Sequence, residues 1–147
     1  MQMPSEVPVM ILPNATLFPQ ALLPLYIFEP RYRRMLADCL ESHRMFCVAM
    51  QRPGSKRQTP APVAGLGVVR VSVRHKDATS HLILQGLARV HLCETLRYQP
   101  YRQHRIELLN TPPCDTAAVD GLVGKLKDLL EQRISECRGR CPDARHP

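Results

Sequence analysis

The chain has 147 residues and carries 20 Lys and Arg against 13 Asp and Glu, a net charge of +7, with 44% hydrophobic and 22% charged residues. At 16.7 kDa it holds one ordinary domain and excludes a multidomain enzyme, and area scaling takes roughly 24,000 Å² of unfolded surface down to about 7,600 Å², enough for a core without a metal or disulfide staple. The basic excess suits an anionic partner, but zero Trp, four Tyr and three Phe exclude a ring-rich platform for stacking single-stranded RNA.

Residues 7–12 alternate and are β-branched, which predicts a strand with Val7, Val9 and Ile11 on one face. Residues 22–28 resume extended structure with Leu23, Leu25 and Ile27 together, and Pro24 places that strand at an edge or bulge because proline donates nothing to a ladder. Pro30 suits the first turn of a helix, with the Glu29 charge at the positive end of its dipole. Tyr32, Met35, Leu36, Cys39 and Leu40 then form one apolar stripe. Residues 45–50 read as a strand and 51–62 as a mobile loop. Residues 67–74, with Val69, Val71 and Val73 inward, and 81–92 form a hairpin around 76–80. One more strand falls in 101–109, with Ile106 and Leu108 on one face. Beyond Pro112 and Pro113 the pattern turns helical: Val119, Leu122, Val123, Leu126, Leu129, Leu130 and Ile134, capped by Asp115 or Thr116, predict a helix over 116–136 before a fraying tail. This divides the chain into a barrel at 1–112 and a helix with its tail at 113–147.

No apolar run approaches the roughly 18 residues of a bilayer span, so no membrane partner is expected. The opening residues do not read as a secretion signal, so secretion is not expected, Asn14-Ala15-Thr16 reads as a chance glycosylation match, and the six cysteines read as reduced thiols of a cytoplasmic protein. Cys39, Cys47 and Cys93, in apolar contexts, are expected to behave as small buried hydrophobes.

The motifs of chemistry fail one by one. Gly121-Leu122-Val123-Gly124-Lys125-Leu126 mimics a phosphate loop, but its glycines are too close, Leu126 cannot hold magnesium and the segment lies inside a helix. Cys137 and Cys141 with His146 lack the second pair a zinc site needs. Ser72, Ser80, His75 and His81 sit near one hairpin without an activated-nucleophile turn. No catalytic residue, cofactor site or metal site is assigned. Basic groups gather at Arg31, Arg33 and Arg34, at Arg52, Lys56 and Arg57, and at Arg97, Arg102 and Arg105, interleaved with polar loops as on a solvated surface.

Two stretches carry a family resemblance. The first runs Val9-Met10-Ile11-Leu12-Pro13, Leu17-Phe18-Pro19, then Leu23-Pro24-Leu25-Tyr26-Ile27-Phe28-Glu29-Pro30-Arg31-Tyr32-Arg33-Arg34-Met35. The second is Gly65-Leu66-Gly67-Val68-Val69 with Leu82-Ile83-Leu84-Gln85-Gly86-Leu87-Ala88-Arg89-Val90. Together they resemble the N-terminal, substrate-binding domain of the Lon protease family, the motif residues being Phe28, Glu29, Pro30, Arg31, Tyr32, Gly86 and Arg89. The resemblance implies an α+β, mainly β fold: a PUA-like β-barrel with an early short helix and a C-terminal amphipathic helix standing for a shortened helical subdomain. Gly65, Gly67 and Gly86 are expected to supply its points of curvature. The 76–80 turn lacks the glycine usual in the family.

The resemblance also implies a stand-alone, non-catalytic module, without the family's ATPase phosphate loop or Ser-Lys dyad, that recognises unfolded or extended polypeptide and serves ATP-dependent proteolysis, with a protease as partner. The candidate contact residues are Phe18, Leu22, Tyr26 and Tyr98. Two alternatives belong to other classes: an RNA-binding PUA-like module using Arg97, Arg102 and Arg105, and an adaptor or homo-oligomer joined through the Val119, Leu126 and Ile134 stripe.

Overall fold

The computed structural model describes residues 2–55, 58–110 and 115–139. Its elements are β1 (Glu6–Leu12), β2 (Leu22–Ile27), α1 (Pro30–Leu40), β3 (Met45–Met50), β4 (Val63–Arg74), β5 (Ser80–Arg97), β6 (Gln103–Leu108) and α2 (Thr116–Arg138). They fall into two compact units, Met1–Leu109 and Asn110–Pro147. Among the described residues no helix is long and apolar enough to cross a membrane.

In the first unit the strands are hydrogen-bonded in the order β2-β5-β4-β3-β1-β6, and β5 also pairs with β6, which closes a barrel. The length of β5 makes this possible: its first part, from Ser80 to Gln85, pairs with β2, and its second, from Val90 to Arg97, pairs with β6. β1 and β3 run parallel, and the other neighbours are antiparallel. β2 stands outside the closed ring with β5 as its one partner, so Pro24 interrupts no ladder within the sheet.

β1 and β3 are apolar on both faces because both faces are covered. Val7, Val9 and Ile11 join Met45, Cys47 and Ala49 inside the barrel, with Leu66, Val90, Leu92 and Ile106. Met10, Phe46 and Val48 point the other way, under the stripe of α1, where Tyr32, Met35, Leu36 and Cys39 are buried. Phe46 has no exposed surface, and truncating such a ring costs about 3–5 kcal/mol. Glu29 occupies the N-cap position of α1, but its carboxylate makes no cap hydrogen bond and instead accepts from Arg31 at 3.3 Å, while its backbone carbonyl accepts the first helical N–H groups.

Several expectations are corrected. Val69 is buried, but Val71 and Val73 are 55% and 53% exposed. The ladder from β4 to β5 steps from Val69 opposite Leu84 to Val71 opposite Ile83, so Arg70 is an extra residue, and this bulge reverses every side chain after it. Leu108 is half exposed at the end of β6, although Ile106, on the same face, is buried. Cys93 is only half-buried, because it alternates with buried Leu92 on β5 and so faces outward. The ladder between β4 and β5 also shifts register between Leu66 and Gly67, opposite Gly86, and Gly65 and Gly86 are in addition sites of close approach: a Cβ would stand 2.3 Å from the Leu17 carbonyl oxygen at the first and 2.0 Å from that of Phe18 at the second. They admit the segment that plugs Leu17, 2% exposed, onto the sheet and anchors it through Gln20 N–H and Gly86 carbonyl at 2.8 Å.

The second unit is the single helix α2, with Asp115 as its cap: the carboxylate accepts from Ala117 N–H at 3.1 Å. No residue of α2 is buried. Gly121 and Gly124 lie within this helix rather than in a loop. Lys56, Arg57, Cys114, Cys141 and His146 lie outside the described residues, as does the expected tail from residue 140.

Candidate functional site: an apolar strand face leading to an arginine-walled cavity

Register places the exposed side chains. Across β2, β5 and β4, Pro24 stands beside Ile83 and Ile83 beside Val71, while Tyr26 stands beside His81 and His81 beside Val73. These two rows share the outer face of the sheet and line a shallow depression of about 410 Å³. It is apolar because the Arg70 bulge turned both valines outward. Tyr26 is the aromatic centre, stacked on His81 with ring centroids 4.6 Å apart and on Phe28 at 5.6 Å. His75 and His81 share a contact of 2.6 Å between ring nitrogens. Among the described residues, neither histidine has a hydrogen bond to Ser72 or Ser80.

The face continues as a line of depressions. Tyr26 also borders a hollow of about 210 Å³ that includes Phe28, Glu29, Arg31, Tyr32 and Gln58. Ile11, Arg31, Tyr32 and Gln58 pass in turn into a cavity of about 340 Å³ closed by Tyr98, Tyr101 and Arg102. The F-E-P-R-Y run therefore lies between the apolar face and the cavity. Within it, Tyr32 is buried and its hydroxyl accepts Ile11 N–H at 3.2 Å. Pro30 begins α1, Gly86 admits the Phe18 backbone, and Arg89 is exposed on β5 opposite Gly65.

Two arginine–tyrosine stacks line the cavity, Arg31 over Tyr32 at 4.4 Å and Arg102 over Tyr98 at 5.0 Å, and outside its lining Arg97 lies over the Tyr101 ring at 4.8 Å. The Tyr101 hydroxyl donates to Asp38 at 2.7 Å. Burial comes first, with that carboxylate second, in pushing the phenol above its ordinary value. Behind the site, Cys39 and Cys47 are pushed up to about 12 by burial, so both are inert thiols.

Of the four expected contact residues, Tyr26 and Tyr98 border the two ends of this line. Leu22 shares the exposed side of β2 with Tyr26, and Phe18 is 63% exposed on the preceding segment. Sequence reasoning missed Val71, Val73, Ile83 and Gln58. The valines alternate without a break through Arg70 in a way that hides the bulge, and Gln58 sits in a segment with no pattern. The three arginines of the RNA alternative are individually engaged: Arg105 pairs with Glu94, Arg97 donates to Gln103 at 2.9 Å, and Arg102 donates to the Gln58 carbonyl at 2.9 Å.

Sequence and fold both have counterparts among known proteins. The sequence profile of the ATP-dependent protease La (LON) substrate-binding domain matches residues 6–141. A Lon protease of Dictyoglomus thermophilum is 27% identical over 135 residues, covering 90% of this chain and 17% of its own length. One of Parabacteroides distasonis is 29% identical over 129 residues, covering 84% and 16%. The chain thus spans about a sixth of the length of these relatives. Among solved structures, a Lon N-terminal domain protein from Xanthomonas campestris superposes with a TM-score of 0.62 at 22% identity, over 75% of this chain and 63% of that one. The N-terminal domain of a Mycobacterium avium complex Lon protease gives 0.65 at 13% identity, over 94% and 76%. These two likenesses concern the fold, which agrees with the mainly β barrel, early helix and C-terminal helix found here. With the profile covering nearly its whole length, the chain belongs to the family of LON substrate-binding domains.

Proposed function

We propose that this domain binds unfolded or extended polypeptide on the outer face of β2, β5 and β4, performs no bond-breaking step itself, and serves ATP-dependent proteolysis by a partner protease. The observation that carries the reading is the contiguous apolar face of Pro24, Tyr26, Val71, Val73 and Ile83, two of whose valines are exposed by a bulge. The bulge leaves hydrophobic side chains that the fold itself does not cover, and an apolar segment laid over them removes that surface from solvent on both sides. The name of the relatives supplies the proteolytic setting.

The test replaces the face without touching the core. A Tyr26→Thr, Val71→Thr, Val73→Thr variant places β-branched residues on the strands and is expected to lose about 1–3 kcal/mol of stability, with thermal melts checking that it folds. Its affinity for a reduced, alkylated and therefore permanently unfolded protein, followed by fluorescence anisotropy, is expected to fall about tenfold or more, since each buried valine contributes up to about 1.5–3 kcal/mol. Unchanged affinity in a folded variant sinks the reading.

A further inference from the structure

The cavity at the far end of the line has a chemistry of its own. Its lining is largely apolar and aromatic, with Val9, Ile11, Pro100, Tyr32, Tyr98 and Tyr101. At its edge two guanidiniums meet on one residue: Arg31 donates to the side-chain oxygen of Gln58 and Arg102 to its backbone carbonyl. Each also lies over a tyrosine ring, at 4.4 and 5.0 Å, which fixes the planes of both groups before any ligand arrives. Glu29 takes one edge of Arg31 at 3.3 Å. Among the described residues Arg102 has no acidic partner.

We propose that this cavity is a carboxylate subsite: it holds an apolar side chain against the aromatic lining while Arg31 and Arg102 bind the adjoining carboxylate of a polypeptide. That carboxylate is either the chain terminus or an acidic side chain. The charge argues for one carboxylate rather than a polyanion, since two guanidiniums less the Glu29 carboxylate leave a single positive charge. Planar guanidinium donors match planar carboxylate oxygens. About 340 Å³ is at the small end of ligand cavities and suits a side chain with its carboxylate. A tracked nucleic-acid backbone would need a run of free cations, and here Arg105 is paired with Glu94 and Arg31 with Glu29. The inference rests on the polypeptide reading. Because Arg31, Tyr32 and Gln58 also border the hollow beside Tyr26, the residues preceding the carboxylate would run back over the apolar face.

The experiment uses three dye-labelled peptides on the full chain: Ser-Gly-Ser-Gly-Leu-Phe with a free carboxylate, the same peptide as its C-terminal amide, and the amide with Asp in place of the last Gly. The free acid is expected to bind about tenfold more tightly than the amide. Arg102→Gln and, separately, Arg31→Gln should bring that ratio close to one, while thermal melts check that each variant folds. Recovery of affinity by the Asp amide assigns the subsite to acidic side chains, and no recovery assigns it to the terminus; both sustain it. Acid and amide binding within twofold of each other to the parent chain overturns it, whatever the variants do. Displacement of the acid by a uridylate 15-mer at lower concentration than by unlabelled peptide also overturns it, in favour of nucleic acid. The Tyr26→Thr, Val71→Thr, Val73→Thr variant separates the two claims. If it weakens both peptides while the ratio is one, the subsite fails and the apolar-face reading stands; if it changes neither while the ratio persists, the reading fails and the subsite stands. Absence of binding by every peptide overturns both.

Discussion

Ala78 holds a backbone φ of +67° in the turn between β4 and β5, where His75 N–H donates to the Thr79 carbonyl at 2.8 Å and the Asp77 carboxylate accepts from Thr79 N–H at 3.1 Å. The left-handed region costs a residue with a Cβ roughly 1–2 kcal/mol. A glycine at this position would remove that cost, while losing roughly 0.4–1 kcal/mol through the freedom it adds to the unfolded chain. Ala78→Gly is therefore expected to stabilise the fold by about 0.5–1 kcal/mol, read as a rise of about 2–4 °C in Tm. Gly86 presents the opposite case. A Cβ there would stand 2.0 Å from the Phe18 carbonyl oxygen, which is backbone and cannot swing aside, so Gly86→Ala is expected to destabilise by about 3 kcal/mol in chemical denaturation. Neither substitution touches the apolar face, so both separate stability from binding.

Elements differ in how far their neighbours could be read in advance. The stripe of α1 is legible because Tyr32, Met35, Leu36 and Cys39 recur at helical spacing. The twofold alternation of β1 is legible too, yet the burial of its second face is not, since Met10 meets residues brought by α1 and β4 from elsewhere in the chain. β4 shows the limit most plainly. Its valines promise one face, and only the pairing with β5 reveals that Arg70 is one residue too many. The apolar face was therefore invisible to periodicity, while the F-E-P-R-Y run that adjoins it was the plainest signal in the sequence. For α2 the cap was legible: Asp115 accepts from Ala117 N–H. No residue of α2 is buried, and its cap is among the local interactions that hold a helix. Asp115→Ala, which removes about 1 kcal/mol of capping, is expected to lower ellipticity at 222 nm. The near-UV signal, which reports the four tyrosines of the first unit, checks separately that the barrel stays folded.

At the scale of the whole molecule, barrel closure is the feature least visible in the sequence, since it depends on β5 changing partners from β2 to β6 along its length. His104 sits at that closure, 4% exposed on β6 and facing Thr95 on β5. Its Nδ1 lies 3.4 Å from the Cys93 carbonyl oxygen and its Nε2 3.4 Å from the Thr95 hydroxyl, an arrangement that suits a neutral ring donating from Nδ1 and accepting at Nε2. Burial holds its pKa below the ordinary 6.5; the Cys93 carbonyl opposes that shift and the Arg102 charge adds to it. Below pH 6.5 the unfolded chain takes up a proton that the folded chain refuses, so unfolding gains on acidification. The contribution of this residue is complete above the unfolded value and is lost as pH falls toward the lower folded one. Thermal melts at pH 7.5 and 5.5 are expected to show a decline in Tm that is smaller in a His104→Gln variant than in the parent. Equal declines would mean that the seam between β5 and β6 opens to protons without loss of stability, and that its closure contributes less to the barrel than its burial implies.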